Sequence, residues 1–406
     1  MADQPLRDIR ILSMEQAVAL PFATRHLADL GAEVIRVQSH QRVTGTGATG
    51  SLFRNKQLVG LDLTAPHGPE LFLKLAANCD VVAHNFTPRV MRKFGIDYDG
   101  IKAVNARMIY CSVTGYGTTG PWSDRPLFGP GAEALSGQNL MIGEADALTP
   151  GRPGTITYAD NICGLNLVFA LLAALEHRDL SGHGQHIDIS LYETNVCHIG
   201  TTVAERAFGA PLPERIGNQD KSLRLHGVFE TRGHDRHITL AATTAQIPGL
   251  LDILEIDTLA DLAKTLKSAS AEETVEKLQQ AGIAAAVVQD PSDISRDVHL
   301  WSRGYFGHYQ EDAAGTPQFG PAWGGGRDLF MSAPRHLGAD NRRVLEDIAG
   351  LDDAAIDALY HSGTIGEVQQ EARRPLASTA QRIARGELSR IDERYDDWKS
   401  VKEQTT

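Results

Sequence analysis

Residues 9–37 read IRILSMEQAVALPFATRHLADLGAEVIRV. Residues 9–14 form a short apolar run, 22–30 carry helical spacing that ends at Gly31, and 33–37 form a second apolar run. Short apolar runs without polar alternation are strands buried on both faces, and a helix between two of them makes a parallel crossover. The rhythm continues outward. Strands are predicted at 58–63, 81–83 and 108–113, with helices at 69–77 and 88–94, the last closed by Gly95. The first 115 residues therefore predict a doubly wound α/β unit.

The 406-residue chain has 42% hydrophobic and 22% charged residues, which excludes a disordered or collagen-like polymer. With 39 Lys and Arg against 51 Asp and Glu the formal net charge is −12, which disfavours nucleic acid or an anionic membrane as partner. An anionic ligand would need local cations. Cys79, Cys111, Cys163 and Cys197 are scattered without a C-x-x-C pair, so neither a disulfide framework nor a structural zinc site is expected. The opening MADQPLRDIR carries no apolar signal core. The apolar stretch 162–175 is shorter than the ~20 residues a membrane span needs. A cytoplasmic location is the expectation.

Residues 115–154 are rich in Gly, Pro, Ser and Thr, and a connection of that length is commonly functional. A helix apolar on most sides follows over 160–177 and predicts burial, then a strand at 186–191. Antiparallel strands at 227–230 and 236–242 turn around Gly233, a helix covers 271–281, and a strand covers 284–289. Residues 222–322 thus read as a smaller α+β domain. Helices are expected at 340–361, and the charged last 40 residues as surface helices or an arm.

Two strings match G-x-G-x-x-G, beginning at Gly45 and Gly115. Dinucleotide binding requires a strand before the motif and a helix after it. The first string runs into SLFRNKQL and the second into Pro121 and Trp122, so neither has that context. His183-x-x-His186 and His234-x-x-His237 lack the further ligands of a metal site, and none is expected. There is no P-loop and no G-x-S-x-G elbow.

The informative segment starts at Asp160 in ADNICGLNLVFALLAALEHR. Asp is a preferred N-cap, and capping alone would explain it. A carboxylate at a helix start is also held ionised by backbone N–H groups and the helix dipole. An ionised, oriented carboxylate beside a glycine-rich loop is suited to attack on an activated acyl group.

In order along the chain stand PFATRHLADLGAEVIRV, RNKQ with LDL, NFTP, SVTGYGTTGP, AEALSG, ADNICG and SGHGQHIDISLYE. These blocks, spread over residues 5–365, resemble the class III CoA-transferases, the family of formyl-CoA transferase and L-carnitine CoA-transferase. The resemblance implies a Rossmann-like α/β large domain formed by both chain ends, 1–210 and 323–406, with 222–322 inserted, and an interlocked homodimer. It implies movement of CoA from an acyl-CoA to a carboxylic acid through an aspartyl anhydride and an aspartyl-CoA thioester. CoA enters as a thioester substrate, and no permanently bound cofactor is implied.

The nucleophilic Asp of the family falls on Asp160. The family's CoA contacts fall on Val18 and Ala19, on Leu61, Asp62, Leu63 and Thr64, on Asn85, Phe86 and Thr87, and on Lys93, Arg125 and Phe128, with Arg89 and Arg92 close by. A phosphate-contacting arginine of the formyl-CoA enzymes is Ser39 here, so that either the contact is missing or His40 or Arg42 supplies it. A glutamate near their nucleophile is Gly129, and their glycine-rich active-site loop is replaced by residues 217–224. Formate and oxalate chemistry is thereby disfavoured. Lys221 or Arg224 is a candidate partner for the distal carboxylate of a dicarboxylic acid such as succinate. The same fold serves α-methylacyl-CoA racemases, which need a His-Asp pair where this chain has Phe128 and Gly129. Two alternatives stay open: a racemase or isomerase, and a non-catalytic CoA-binding protein in which Asp160 only caps its helix.

Overall fold

A computed structural model describes residues 4–41, 50–152, 158–212, 214–220, 222–313, 315–320, 331–369, 377–386, 394 and 397–405. By packing the chain divides into two units. The first takes residues 1–138, 153–209 and 299–391, and the second 139–152, 210–298 and 392–406.

The first unit is built on a six-stranded sheet. Its strands are β1 (Arg10–Met14), β2 (Glu33–Gln38), β3 (Lys56–Gly60), β4 (Val81–His84), β5 (Ile109–Thr114) and β6 (Gln185–Ser190). All neighbouring pairs are parallel and the order is β3-β2-β1-β4-β5-β6. The helices between them are α1 (Ala19–Asp29), α2 (Gly68–Ala76), α3 (Pro88–Phe94), α4 (Tyr98–Val104), α5 (Gly129–Leu135) and α6 (Tyr158–Ser181).

Alternate residues of β1, β2, β4 and β5 feed two cores. Ile11, Val34, Val81 and Ile109 pack with α1 and α6. Leu12, Ile35, Val82 and Tyr110 pack with α2, α4 and the helices Asn341–Asp347 and Asp353–His361. Burial on both faces is why the strands read as continuous apolar runs.

The late helices return to the edge strand. Asp340 and Asn341 accept the β3 amides of Leu58 and Gly60 with their side chains, both at 2.9 Å. The Gly366 amide donates to the Gly60 carbonyl at 3.0 Å, and a methyl group on Gly60 would lie 1.9 Å from the Gly366 oxygen. An exposed strand edge is thereby covered, which suppresses pairing with other chains.

One helix corrects its expectation. α6 runs four residues past 177 and is not buried all round, because Leu165, Phe169, Leu172 and Leu180 are exposed. Its 24 residues are long and apolar enough to cross a membrane, unlike the shorter stretch predicted, but half of its most apolar window is buried. Packing against α1, β5 and β6 accounts for that half.

The second unit contains an antiparallel sheet of β7 (Leu225–Glu230), β8 (His237–Ala242) and β9 (Ala284–Val287) in that order. The turn between β7 and β8 uses Gly233 at φ +125°. Ile238 and Leu240 of β8 pack on Leu250, Leu262, Leu266 and Leu278 from the helices that follow. Residues 299–320, placed with the insert by sequence, pack instead in the first unit. There the buried Arg54 guanidinium holds Asp29 and donates to the carbonyl of Phe319. The charged tail forms the helices Thr379–Ala384 and Trp398–Thr405, and Trp398 is buried in the second unit.

Candidate active site

The strand order places β1 beside β4, yet the chain leaves β1 for β2 and reaches β4 from β3. The connections after β1 and β4 therefore run apart, and a crevice opens at their carboxyl ends. A cavity of about 220 Å³ lies in that crevice. Gln16, Ala17 and Ala19 enter it after β1, Asn85, Phe86 and Thr87 after β4, and Val113, Thr114 and Gly115 at the end of β5. Arg125 to Phe128, Asp160 and Leu191 complete most of the wall.

Asp160 is buried and lies in the first turn of α6, inside the helix and not at the N-cap position its residue type suggests. A first-turn carboxylate is favoured by the helix dipole. One turn on, Gly164 sits against the start of α1, where a methyl group would come within 2.7 Å of the Ala19 carbonyl oxygen. The spacing Asp-x-x-x-Gly therefore has a packing cause. Residues i and i+4 share a helix face, so the glycine brings the Asp side of α6 against the β1–α1 turn.

Other predicted residues divide into two groups. Ala19, Asn85, Phe86, Thr87, Arg125 and Phe128 line the cavity with Asp160. Arg125 stacks over the Trp122 ring at 5.3 Å, and Phe128 is 68% exposed at the mouth. Val18 stands between two lining residues without lining the cavity itself.

Leu61 to Thr64 are absent from this wall because β3 is the outer edge strand, two strands from the crevice. There Leu61 bridges Ile365, and Asp62 accepts the Thr64 amide and hydroxyl. Arg89, Arg92 and Lys93 lie on α3 but do not line the cavity, to which that helix gives Val90. Arg92 is paired with Asp124 at 3.2 Å, Asp124 also takes the Arg89 amide, and the Lys93 ammonium lies 5.1 Å from the Phe94 ring centre. Arg224 is exposed in the second unit, and Lys221 and Arg42 lie outside the described residues, as do residues 45–49 of the Gly45 string. His40 is buried beside Asp62, its ring held below the usual imidazole range by burial. The Gly115 string leads into no helix. Asp188 of β6 pins it by accepting the Thr118 amide at 2.9 Å.

Several residues around the site carry no sequence signal. Glu133 of α5 is fully buried, and its carboxylate accepts the Ala159 amide at 3.4 Å, next to Asp160. Behind Gln16, Glu15 holds the Lys56 ammonium at 2.7 Å, and Thr24 joins both. Burial pushes Lys56 down to about 8 against the opposing pull of Glu15.

Under the β4 end, the Phe86 amide donates to His84 Nδ1, which leaves His84 Nε2 as donor to Ser112 Oγ at 3.0 Å. Ser112 in turn meets His186 Nε2 at 2.9 Å. Burial keeps His84 neutral, its pKa brought down to about 3.

A parallel sheet with a buried carboxylate at its switch-point crevice defines an α/β ligand-handling domain. Residues 6–341 match the family model of CoA-transferase family III, and the chain belongs to that family. It is 29% identical to the succinyl-CoA:glutarate CoA-transferase of Mus musculus, over 89% of this chain and 90% of the relative. It is 32% identical to the succinate–glutarate CoA-transferase of Agrobacterium fabrum, over 63% of this chain and 68% of the relative. Among solved structures it is similar to a CAIB/BAIF family protein from Brucella suis, with 25% identity and a TM-score of 0.76, covering 85% of this chain and all 100% of that one.

Proposed function

We propose that this chain moves CoA from an acyl-CoA donor to a carboxylic acid, with Asp160 as covalent nucleophile. One observation carries the reading: among the described residues Asp160 is the only carboxylate on the cavity wall. Its oxygen attacks the thioester carbonyl, the C–S bond breaks, and CoA leaves as the thiolate, giving a mixed anhydride. The thiolate attacks the Asp160 side-chain carbonyl and expels the donor's carboxylate, giving an aspartyl-CoA thioester. The acceptor carboxylate then attacks that thioester and releases the thiolate. The thiolate finally takes the acceptor's acyl group and restores Asp160. No net proton moves.

Arg125 is the cationic side chain on the wall and supplies the local positive charge that an anionic ligand requires in a chain of net charge −12. The names of the relatives, succinyl-CoA with glutarate, support a short dicarboxylate as donor acid or acceptor. A racemase would need a second proton-transfer group. Phe128 stands at the matching position, and no His, Lys, Tyr, Cys or second carboxylate lines the cavity among the described residues. A cytoplasmic homodimer belongs to the same reading, with the exposed stripe of Leu165, Phe169 and Leu172 as a face for a second chain.

The test is to assay transfer from succinyl-CoA to a panel of carboxylic acids in deuterated water. The reading expects transfer that Asp160→Asn abolishes, and no deuterium at the α-carbon. Deuterium uptake without acceptor would establish the racemase. CoA binding without transfer to any acid would establish a binding protein.

A further inference from the structure

β1 ends at Met14 and α1 begins at Ala19, so four residues turn the chain at the cavity wall. Within that turn Ala17 has φ +53°, the left-handed region that an L side chain avoids. Val18 follows at φ −126° and ψ −52° and makes no side-chain cap to α1.

The restraint comes from 69 residues away. Asn85 Oδ1 accepts the Gln16 amide at 2.9 Å, and Asn85 Nδ2 donates to the Gln16 carbonyl at 2.7 Å. The Asn85 amide also donates to the Met14 carbonyl at 3.3 Å. The β1–β4 ladder thus continues past its last backbone pair by means of a side chain that engages both polar groups of one residue. That residue directly precedes the strained alanine.

We propose that Asn85 is a positioning residue of the acyl-CoA site, holding the Gln16–Ala17 turn in its left-handed form so that the wall shared with Asp160 is set before ligand arrives. The inference rests on the reading of this cavity as the acyl-CoA site. It gives Asn85 a task other than the CoA contact implied by resemblance, because one side-chain donor and one acceptor are committed to the protein's own backbone.

The test uses Asn85→Ala, Asn85→Asp and Ala17→Gly alone and combined, in the full chain. It reads kcat/KM for succinyl-CoA and amide hydrogen exchange at Gln16. Asn85→Ala is expected to lose protection at the Gln16 amide and to lower kcat/KM by about five- to thirty-fold, the population ratio that an alanine's left-handed penalty sets. Glycine adopts positive φ without that penalty, so adding Ala17→Gly to Asn85→Ala recovers most of the loss. Asn85→Asp keeps the acceptor and loses the donor, and falls between. If Asn85→Ala does not fold, Asn85→Asp with and without Ala17→Gly reads the same rescue. A double variant no better than Asn85→Ala, or unchanged exchange at Gln16, overturns the proposal and makes Asn85 a direct ligand contact or a bystander. Absence of CoA transfer by the wild-type chain would strike the proposed function instead, since the exchange measurement needs no turnover.

Discussion

Gly164 stands one helical turn beyond Asp160, and a methyl group at Gly164 would lie 2.7 Å from the carbonyl oxygen of Ala19. The neighbour is backbone at the start of α1, which cannot swing aside as a side chain would. Gly164→Ala therefore pushes α6 away from the β1–α1 turn and displaces Asp160. Overpacking of this kind costs about 1–3 kcal/mol. Activity should fall further than stability does, because a misplacement near 1 Å costs about a hundredfold in rate. Thermal unfolding and kcat measured on one preparation check both parts.

Arg125 and Arg92 should separate cleanly. Arg125 lines the cavity, whereas Arg92 is about half exposed and already paired with Asp124. Arg125→Ala should raise KM for the acyl-CoA about tenfold, the loss of one charge-assisted contact. That loss should shrink at high salt. Arg92→Ala should change KM by less than about threefold. Equal effects would place the ligand's anionic end on α3 instead.

Acid should destabilise the first unit through His84 and His26. Burial lowers both to about 3 from 6.5, so both are neutral in the folded chain near neutral pH. The unfolded chain binds their protons below about 6.5 while the folded chain does not, so their contribution is complete above that pH and is lost as pH falls toward 3. Each histidine adds a slope of about 1.4 kcal/mol per pH unit in that window. His84→Gln should flatten the dependence by about one proton, as measured by denaturant unfolding between pH 6.5 and 4.5.

Glu15 is the counter-charge for Lys56, and Arg36 approaches the same carboxylate oxygen at 3.5 Å. Both side chains of the Lys56 pair are buried, so removing one leaves an unmatched charge. Glu15→Ala should cost about 3–5 kcal/mol in denaturant unfolding. Replacing both partners with apolar residues of similar size should cost much less. Additive losses would show that the pair acts through packing alone.

The sheet was legible because its central strands are buried on both faces, leaving apolar runs such as residues 9–14 and 108–113. Asp160 was singled out through its ordered context, since its residue type alone points first to a cap. The clamp of Asn85 on Gln16 was not, because its partners are 69 positions apart and the bond goes to backbone, which leaves no residue pattern. Glu133 was hidden for the same reason, reaching the Ala159 amide across 26 positions. The exposed side of α6 was misread because a helix apolar all round looks the same whether its outer face meets the core or is left open. Leu61 to Thr64 fell away from the cavity because strand order, which places β3 at the edge, is a property of the assembled sheet.

The proposed mechanism requires Asp160 to become covalently bonded during transfer. The direct measurement is to mix the enzyme with succinyl-CoA, quench with hydroxylamine or borohydride, and map the modified peptide by mass. An Asp160 hydroxamate, or its reduced alcohol with borohydride, is the predicted result, absent in Asp160→Asn. An unmodified Asp160 in an enzyme that transfers CoA, with activity retained by Asp160→Asn, would contradict it.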